Sequence, residues 1–193
     1  QGQGQGQSPG GQGQGNGLPV DGTPPPGSGS GGTGGGGSAG VPAGYATVTD
    51  TDFHFSMAMP QGFHRTAIAG TNSGGIYNRE SGGFPRVQVD FTNTPGGDAK
   101  LAWSQAVTGV AGSSTNYRTI GIRKVDYRGY PTVADWEFER DQGGTRVRVL
   151  NRGFKVDANR GYAIMISCAA DAWDGPECTQ LRNTAFETFQ PLG

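Results

Sequence analysis

The chain has 193 residues, a net charge of −1 from 15 Lys and Arg against 16 Asp and Glu, and 37 glycines beside only 33% hydrophobic residues. No block of one charge sign occurs, which argues against general nucleic-acid binding, because that needs a concentrated basic footprint. No apolar run approaches the roughly 18 residues of a membrane span and no leader-type apolar core is legible, so any membrane segment of the protein is expected before Gln1.

Residues 1–44 are almost all Gly, Gln, Pro, Ser and Thr, opening QGQGQGQSPGGQGQG and running through GSGSGGTGGGGSAG to a final VPAG, with Asp21 as their one charge. Such a stretch cannot offset the entropy of ordering, so it reads as a disordered low-complexity linker. A flexible coil of this length spans roughly 35–40 Å root-mean-square. Two motif matches fall in or at the end of this stretch. Gly36-Gly37-Ser38-Ala39-Gly40 fits a G-x-S-x-G nucleophile elbow, and Gly27, Gly29 and Gly32 fit G-x-G-x-x-G. Neither has the flanking strand and helix its mechanism needs, so both are assigned to composition. Every His, Cys, Trp, Lys and Arg lies from Tyr45 onward. Residues 45–193 are therefore read as a single globular domain.

That domain is strand-rich. Phe53, Phe55, Met57 and Met59 alternate with His54, Ser56 and Ala58, and the run stops at Pro60-Gln61-Gly62, a turn signal. Short strands follow near 63–68, 74–80 and 86–92. Ala99, Ala102, Trp103, Ala106, Val107 and Val110 form one helical stripe, with Asp98 as N-cap and Gly109 or Gly112 as the stop. Four longer strands are expected at 117–126, 130–140, 145–156 and 161–168. Pairing Asp141 with Gly144 sets Glu139 against Arg146, Glu137 against Arg148, Phe138 against Val147 and Trp136 against Val149. The alternation slips at Gly153, which predicts a bulge. A last helix spans 175–189, with Asp174 and Glu177 spaced as a capping box and Pro176 in its first turn. The fold class is α+β: a mainly antiparallel sheet packed by helices.

The chemistry-bearing residues are few. Cys168 and Cys178 are too far apart in sequence for a redox CxxC and lack the His of a metal site, which leaves a disulfide or two buried thiols. Cys168 ends a strand and Cys178 opens the inner face of the next helix, a placement that favours the disulfide and with it a compartment outside the cytoplasm. His54 and His64 flank the 60–62 turn, but its hairpin register pairs His64 with Ala58, so they read as two strand histidines. Glu137, Glu139, Arg146 and Arg148 read as cross-strand ion pairs on a wet face. Asp135 shares that face without an evident partner and is the candidate for ligand contact. Trp103 and Trp136 read as core. Trp173, between the cysteines, reads either as a cover for the sheet edge or as an exposed binding anchor. No catalytic residue, metal site or cofactor is assigned.

The stretch FHFSMAMPQGF resembles the F-x-F-x-x-x-x-P-x-G-[WF] opening of domains with the Mog1/PsbP-like fold, with Phe63 where Trp is usual. The same pattern continues through Tyr117, Arg118, Gly129, Tyr130, Ala134, Asp135, Trp136, Glu137 and Phe138. It includes the Arg146–Arg148 stretch, Tyr162, Trp173, Phe186 and Phe189. Over residues 45–190 the chain is similar to the extracytoplasmic C-terminal domains of actinobacterial receptor-type serine/threonine kinases. The resemblance implies an α/β/α sandwich and a non-enzymatic sensor or interaction domain, anchored through a parent membrane segment and facing an extracellular ligand or protein. A secreted or lipid-anchored carrier of a small or lipidic ligand is the alternative. The resemblance carries no catalytic residues.

Overall fold

A computed structural model describes residues 40–193. Residues 1–39, with the G-x-G-x-x-G match and all of the G-x-S-x-G match except Gly40, lie outside the described residues. The elements are β1 (Tyr45–Asp50), β2 (Phe55–Pro60), β3 (His64–Ala69), β4 (Gly74–Asn78), β5 (Arg86–Thr92), α1 (Ala99–Ser113), β6 (Thr115–Lys124), β7 (Thr132–Gln142), β8 (Thr145–Asp157), β9 (Arg160–Ala169), a 3-10 turn (Ala170–Ala172), α2 (Pro176–Thr188) and β10 (Gln190–Pro191).

Seven strands form one antiparallel sheet in the order β3-β4-β5-β9-β8-β7-β6, and β10-β2-β1 form a second, small one. Two cores follow from this layering. One face of the large sheet packs with the small sheet and α2 through Phe55, Met57, Tyr77, Val87, Val89, Phe154, Tyr162, Ile164, Ile166, Leu181 and Phe189. The other face packs under α1 through Trp103, Ala134, Trp136, Phe138, Val147 and Val149. Burial on both faces is the hydrophobic drive behind the fold.

The 60–62 turn is not a hairpin. It carries the chain from the small sheet into the large one, so His64 pairs with Asn78 rather than Ala58. Strands β1 and β10 were not legible, because β1 (YATVTD) lacks an apolar alternation and β10 has two residues. The described chain begins within the stretch read as linker. There the Gly44 carbonyl accepts from the Gln61 amide at 2.8 Å and the Pro42 carbonyl from the Tyr45 amide at 3.1 Å. At the other end of β1, the Asp50 carboxylate accepts from Tyr77 Oη (2.7 Å) and Arg65 Nη1 (2.9 Å), clasping the small sheet to the large one.

Helix α1 starts where expected, with Asp98 Oδ1 accepting from the Leu101 amide at 2.9 Å, but runs through Gly109 and Gly112 to Ser113. Helix α2 is capped by Gly175 with no side-chain bond, so Asp174 is not its cap, while Glu177 pairs with Arg79 at 3.2 Å.

The β7–β8 register differs from the expected one by two residues. Asp141 faces Arg146, Glu139 faces Arg148 and Asp135 faces Arg152, while Trp136 faces Asn151 and Phe138 faces Val149. The turn is the two-residue Gly143-Gly144, with φ of 59° and 80°, the all-positive geometry that suits a tight hairpin. A two-residue shift leaves every side chain on the face assigned to it. No bulge occurs at Gly153: both of its ladders run through in register. The phase change there reflects burial that switches faces along β8, from Val147 and Val149 under α1 to Phe154 and Val156 on the α2 side. Gly153 itself is required by Trp103, since a Cβ would lie 2.8 Å from Trp103 Cζ2.

Candidate functional site

On the α2 side, β7 presents Asp135, Glu137, Glu139 and Asp141 in alternate positions, and arginines of β6 and β8 answer them. Arg152 grips Asp135 with two bonds, Nε to Oδ1 at 2.7 Å and Nη2 to Oδ2 at 2.9 Å. Glu137 takes Arg148 and Arg123, each at 2.9 Å. Glu139 takes Arg146 at 3.2 Å and Arg118 at 3.3 Å, and Asp141 takes Arg146 at 3.2 Å. The expected Glu137–Arg148 and Glu139–Arg146 pairs both form, but diagonally across the shifted register.

The inner end of this face is dry, and it opens to water toward the hairpin turn and the β6 edge, where Asp141 is 38% and Arg118 61% exposed. Asp135 is 2% exposed and Glu137 7%. Burial acts to raise the Glu137 carboxyl, but hydrogen bonds from Arg148 and Arg123 prevail and hold it below its ordinary value. Aromatic rings close the layer. Trp173 is 4% exposed, with the Arg182 guanidinium 4.0 Å and the Arg148 guanidinium 5.1 Å from its ring centre. Arg152 lies 4.1 Å over Phe186. These cation–π contacts and fork-like pairs give each guanidinium a partner. Asp135, expected to lack one, is doubly bonded, and Trp173 is packed rather than offered as an anchor. Neither is open to a ligand.

Cys168 and Cys178 are bonded, joining the end of β9 to the first turn of α2. The histidines do not meet chemically. His54 stacks on Phe91 with ring centres 4.1 Å apart, and His64 Nδ1 lies 3.0 Å from the Gly62 carbonyl.

The α1 side differs. Arg140 continues the Trp136–Phe138 phase of β7, and Arg86, Gln88 and Asp90 take the phase of β5 opposite to Val87 and Val89. The salt bridges found among the described residues do not include Arg86, Arg140 or Asp90. Arg86 lies 4.2 Å over Phe84 and donates Nε to the Gly83 carbonyl at 3.2 Å. Arg140 lies 5.4 Å over Phe138 and donates Nη1 to Ser114 Oγ at 3.2 Å, while its Nε is buried without an acceptor. Burial lowers Arg86 to about 10. Burial, followed by the nearby Arg86 charge, lowers Arg140 to about 10. Asp90, bonded by Gln88 Nε2, is pushed up to about 7 by desolvation. Sequence reasoning missed this group. The available signal was Arg140 itself, a cation in the apolar phase of its strand.

None of the curated proteins compared with the chain matches it. Among solved structures, the cyanobacterial PsbP protein CyanoP of Synechocystis aligns with a TM-score of 0.53 at 14% identity, covering 77% of this chain and 93% of that one. LpqN of Mycobacterium tuberculosis, described as involved in cell envelope biogenesis, aligns at 0.46 and 10% identity over 77% and 91%. The CyanoP likeness shows the fold: antiparallel sheet with helices on both sides, as the opening aromatic pattern implied. The serine/threonine kinase C-terminal domain family matches residues 47–191, essentially every strand and helix described above. The chain therefore belongs to the family of serine/threonine kinase C-terminal domains, built on the PsbP-like fold.

Proposed function

We propose that this domain is a non-enzymatic recognition module, displayed outside the cytoplasm by a membrane-anchored receptor-type serine/threonine kinase. The observation that carries this reading is the Cys168–Cys178 disulfide in a kinase-associated domain. Disulfides persist in oxidising compartments and are rare in the cytosol. Arginines engage the carboxylates of the β7 acidic row as structural anchors, so that row is not a pair of free acids poised for acid–base work. The composition of residues 1–44 suits a tether. A tether of that composition would transmit little torque, so binding outside would act on the kinase through proximity and clustering, by raising effective concentration.

The test is surface proteolysis of intact cells carrying the full-length protein, with peptide mass spectrometry under non-reducing conditions. Release of the domain with Cys168 linked to Cys178 is expected. Protection from the protease, together with free thiols at both positions, overturns the reading.

A further inference from the structure

The two faces of the large sheet treat arginine differently. On the α2 side guanidiniums meet carboxylates. On the α1 side Arg86 and Arg140 share one face of the sheet, and no salt bridge among the described residues includes either. Their strands, β5 and β7, are separated by β9 and β8, about 14 Å at a strand spacing near 4.8 Å. Between them the rows hold only short side chains: Ser167 opposite Arg86, Val149 beside it, and Val147 and Ala169 in line with Arg140. Two long arginines rooted on either side of such a floor are long enough to meet above it, and the Arg86 charge adds to burial in lowering Arg140.

Among the described residues Arg86 donates through Nε and Arg140 through Nη1, and the Arg140 Nε–H is buried with no acceptor. A buried guanidinium N–H without an acceptor, beside a second cation on the same face, costs stability that an acceptor-rich anion would recover. Two planar guanidinium forks match the several oxygens and two charges of a phosphate, where a single carboxylate would neutralise only one of them. Ser114 Oγ, already on Arg140, adds a hydroxyl beside the site.

We propose that Arg86 and Arg140 form a binding site for a dianionic phosphate group on the α1 face, delivered as free phosphate or as a phosphomonoester. This gives the recognition module a ligand class, and rests on that reading only for its setting outside the cytoplasm.

The test is titration of the protein with inorganic phosphate at constant ionic strength, read by amide NMR shifts and by thermal unfolding. Saturable shifts in β5, β7 and the end of α1, with a rise in melting temperature, are expected. Arg86→Gln and Arg140→Gln should each weaken binding at least tenfold, and Arg140→Lys, which keeps the charge but not the fork, should weaken it less. Arg118→Gln, on the opposite face, should bind as the parent does. Should Arg140→Gln fail to fold, Arg86→Gln and Arg140→Lys carry the comparison. Tighter binding of glycerol 3-phosphate than of phosphate assigns the site to monoesters, and the reverse assigns it to the free ion. No saturable response at millimolar phosphate, or one that survives Arg86→Gln, overturns the site. Either failure leaves the location of the domain, tested separately by proteolysis, untouched.

Discussion

Replacing Gly153 by Ala should destabilise the domain although the backbone there is ordinary strand. The added Cβ would lie 2.8 Å from Trp103 Cζ2, 3.1 Å from Cε2 and 3.2 Å from Nε1. Favourable carbon–carbon contact begins at about 3.5–4.0 Å, so the indole must retreat by roughly 0.7–1.2 Å. It has little room to do so. Its Nε1 donates to the Ala134 carbonyl at 3.1 Å, and its ring centre lies 5.4 Å from that of Trp136. Overpacking of this kind costs about 1–3 kcal/mol. The stiffer unfolded chain returns about 0.4–1 kcal/mol of that. A net loss near 1–2 kcal/mol corresponds to a fall of about 2–8 °C in Tm for a domain of this size. Thermal unfolding followed by circular dichroism measures it. Gly121→Ala, with nothing within 4 Å of the new Cβ, is the control and should not lower Tm. Trp103→Phe removes the outer indole ring, so the double variant should be less destabilised than the two single changes summed. Full stability of Gly153→Ala, or additivity within about 0.5 kcal/mol, refutes the close contact as the reason for the glycine.

Arg152→Ala leaves Asp135 buried without its cation and should cost about 3–5 kcal/mol in urea unfolding, while Arg118→Ala, at an exposed pair, should cost under about 1 kcal/mol. Equal effects would contradict the burial of the β7 acids. Asp90 has a folded pKa raised to about 7, so its protonated form is the one the fold favours. That contribution is complete below the unfolded value near 4 and is lost as pH rises through about 7. Unfolding at pH 5 and pH 8 should show the parent losing more stability over that interval than Asp90→Asn, and identical pH profiles would count against a desolvated carboxylate. Reducing the disulfide, which spans a sequence separation of 10, should lower stability by about 3 kcal/mol in the chain-entropy estimate, seen as a lower Tm with reductant. An unchanged Tm once reduction is verified by mass would show the staple to be energetically idle.

The period-2 and helical patterns of the folded part were legible because burial imposes them locally. Phe55, Met57, Met59, Trp103 and Trp136 all lie in the core as their phases require. The disulfide was legible because a strand end and the adjoining helix start are near in sequence. What failed depended on partners distant in the chain. Gly153 looked like a bulge because its constraint comes from Trp103, fifty residues earlier. Asp135 looked unpartnered because a register shifted by two residues brings Arg152 opposite it. The wet-face reading failed at Glu137, beneath the layer of Trp173 and α2, while Glu139, Arg146 and Arg148 keep partial contact with water. The Arg86–Arg140 pair joins strands with two others between them, a relation no local spacing encodes.

Strand β1 also has a mechanical meaning. A pull arriving along the chain from its N-terminal side meets the Gly44–Gln61 bond and then Tyr45, at the rung where it faces Pro60. The ladder then opens one rung at a time toward Asp50, a peel that needs little force per step. At Asp50 it reaches the clasp to Tyr77 and Arg65, rooted in β4 and β3. Five residues of slack, about 17 Å of extended chain, are let out before strain enters the seven-stranded sheet. The small sheet thus behaves as a fuse in series with the domain, and the strands that carry Arg86 and Arg140 stay in register while it yields.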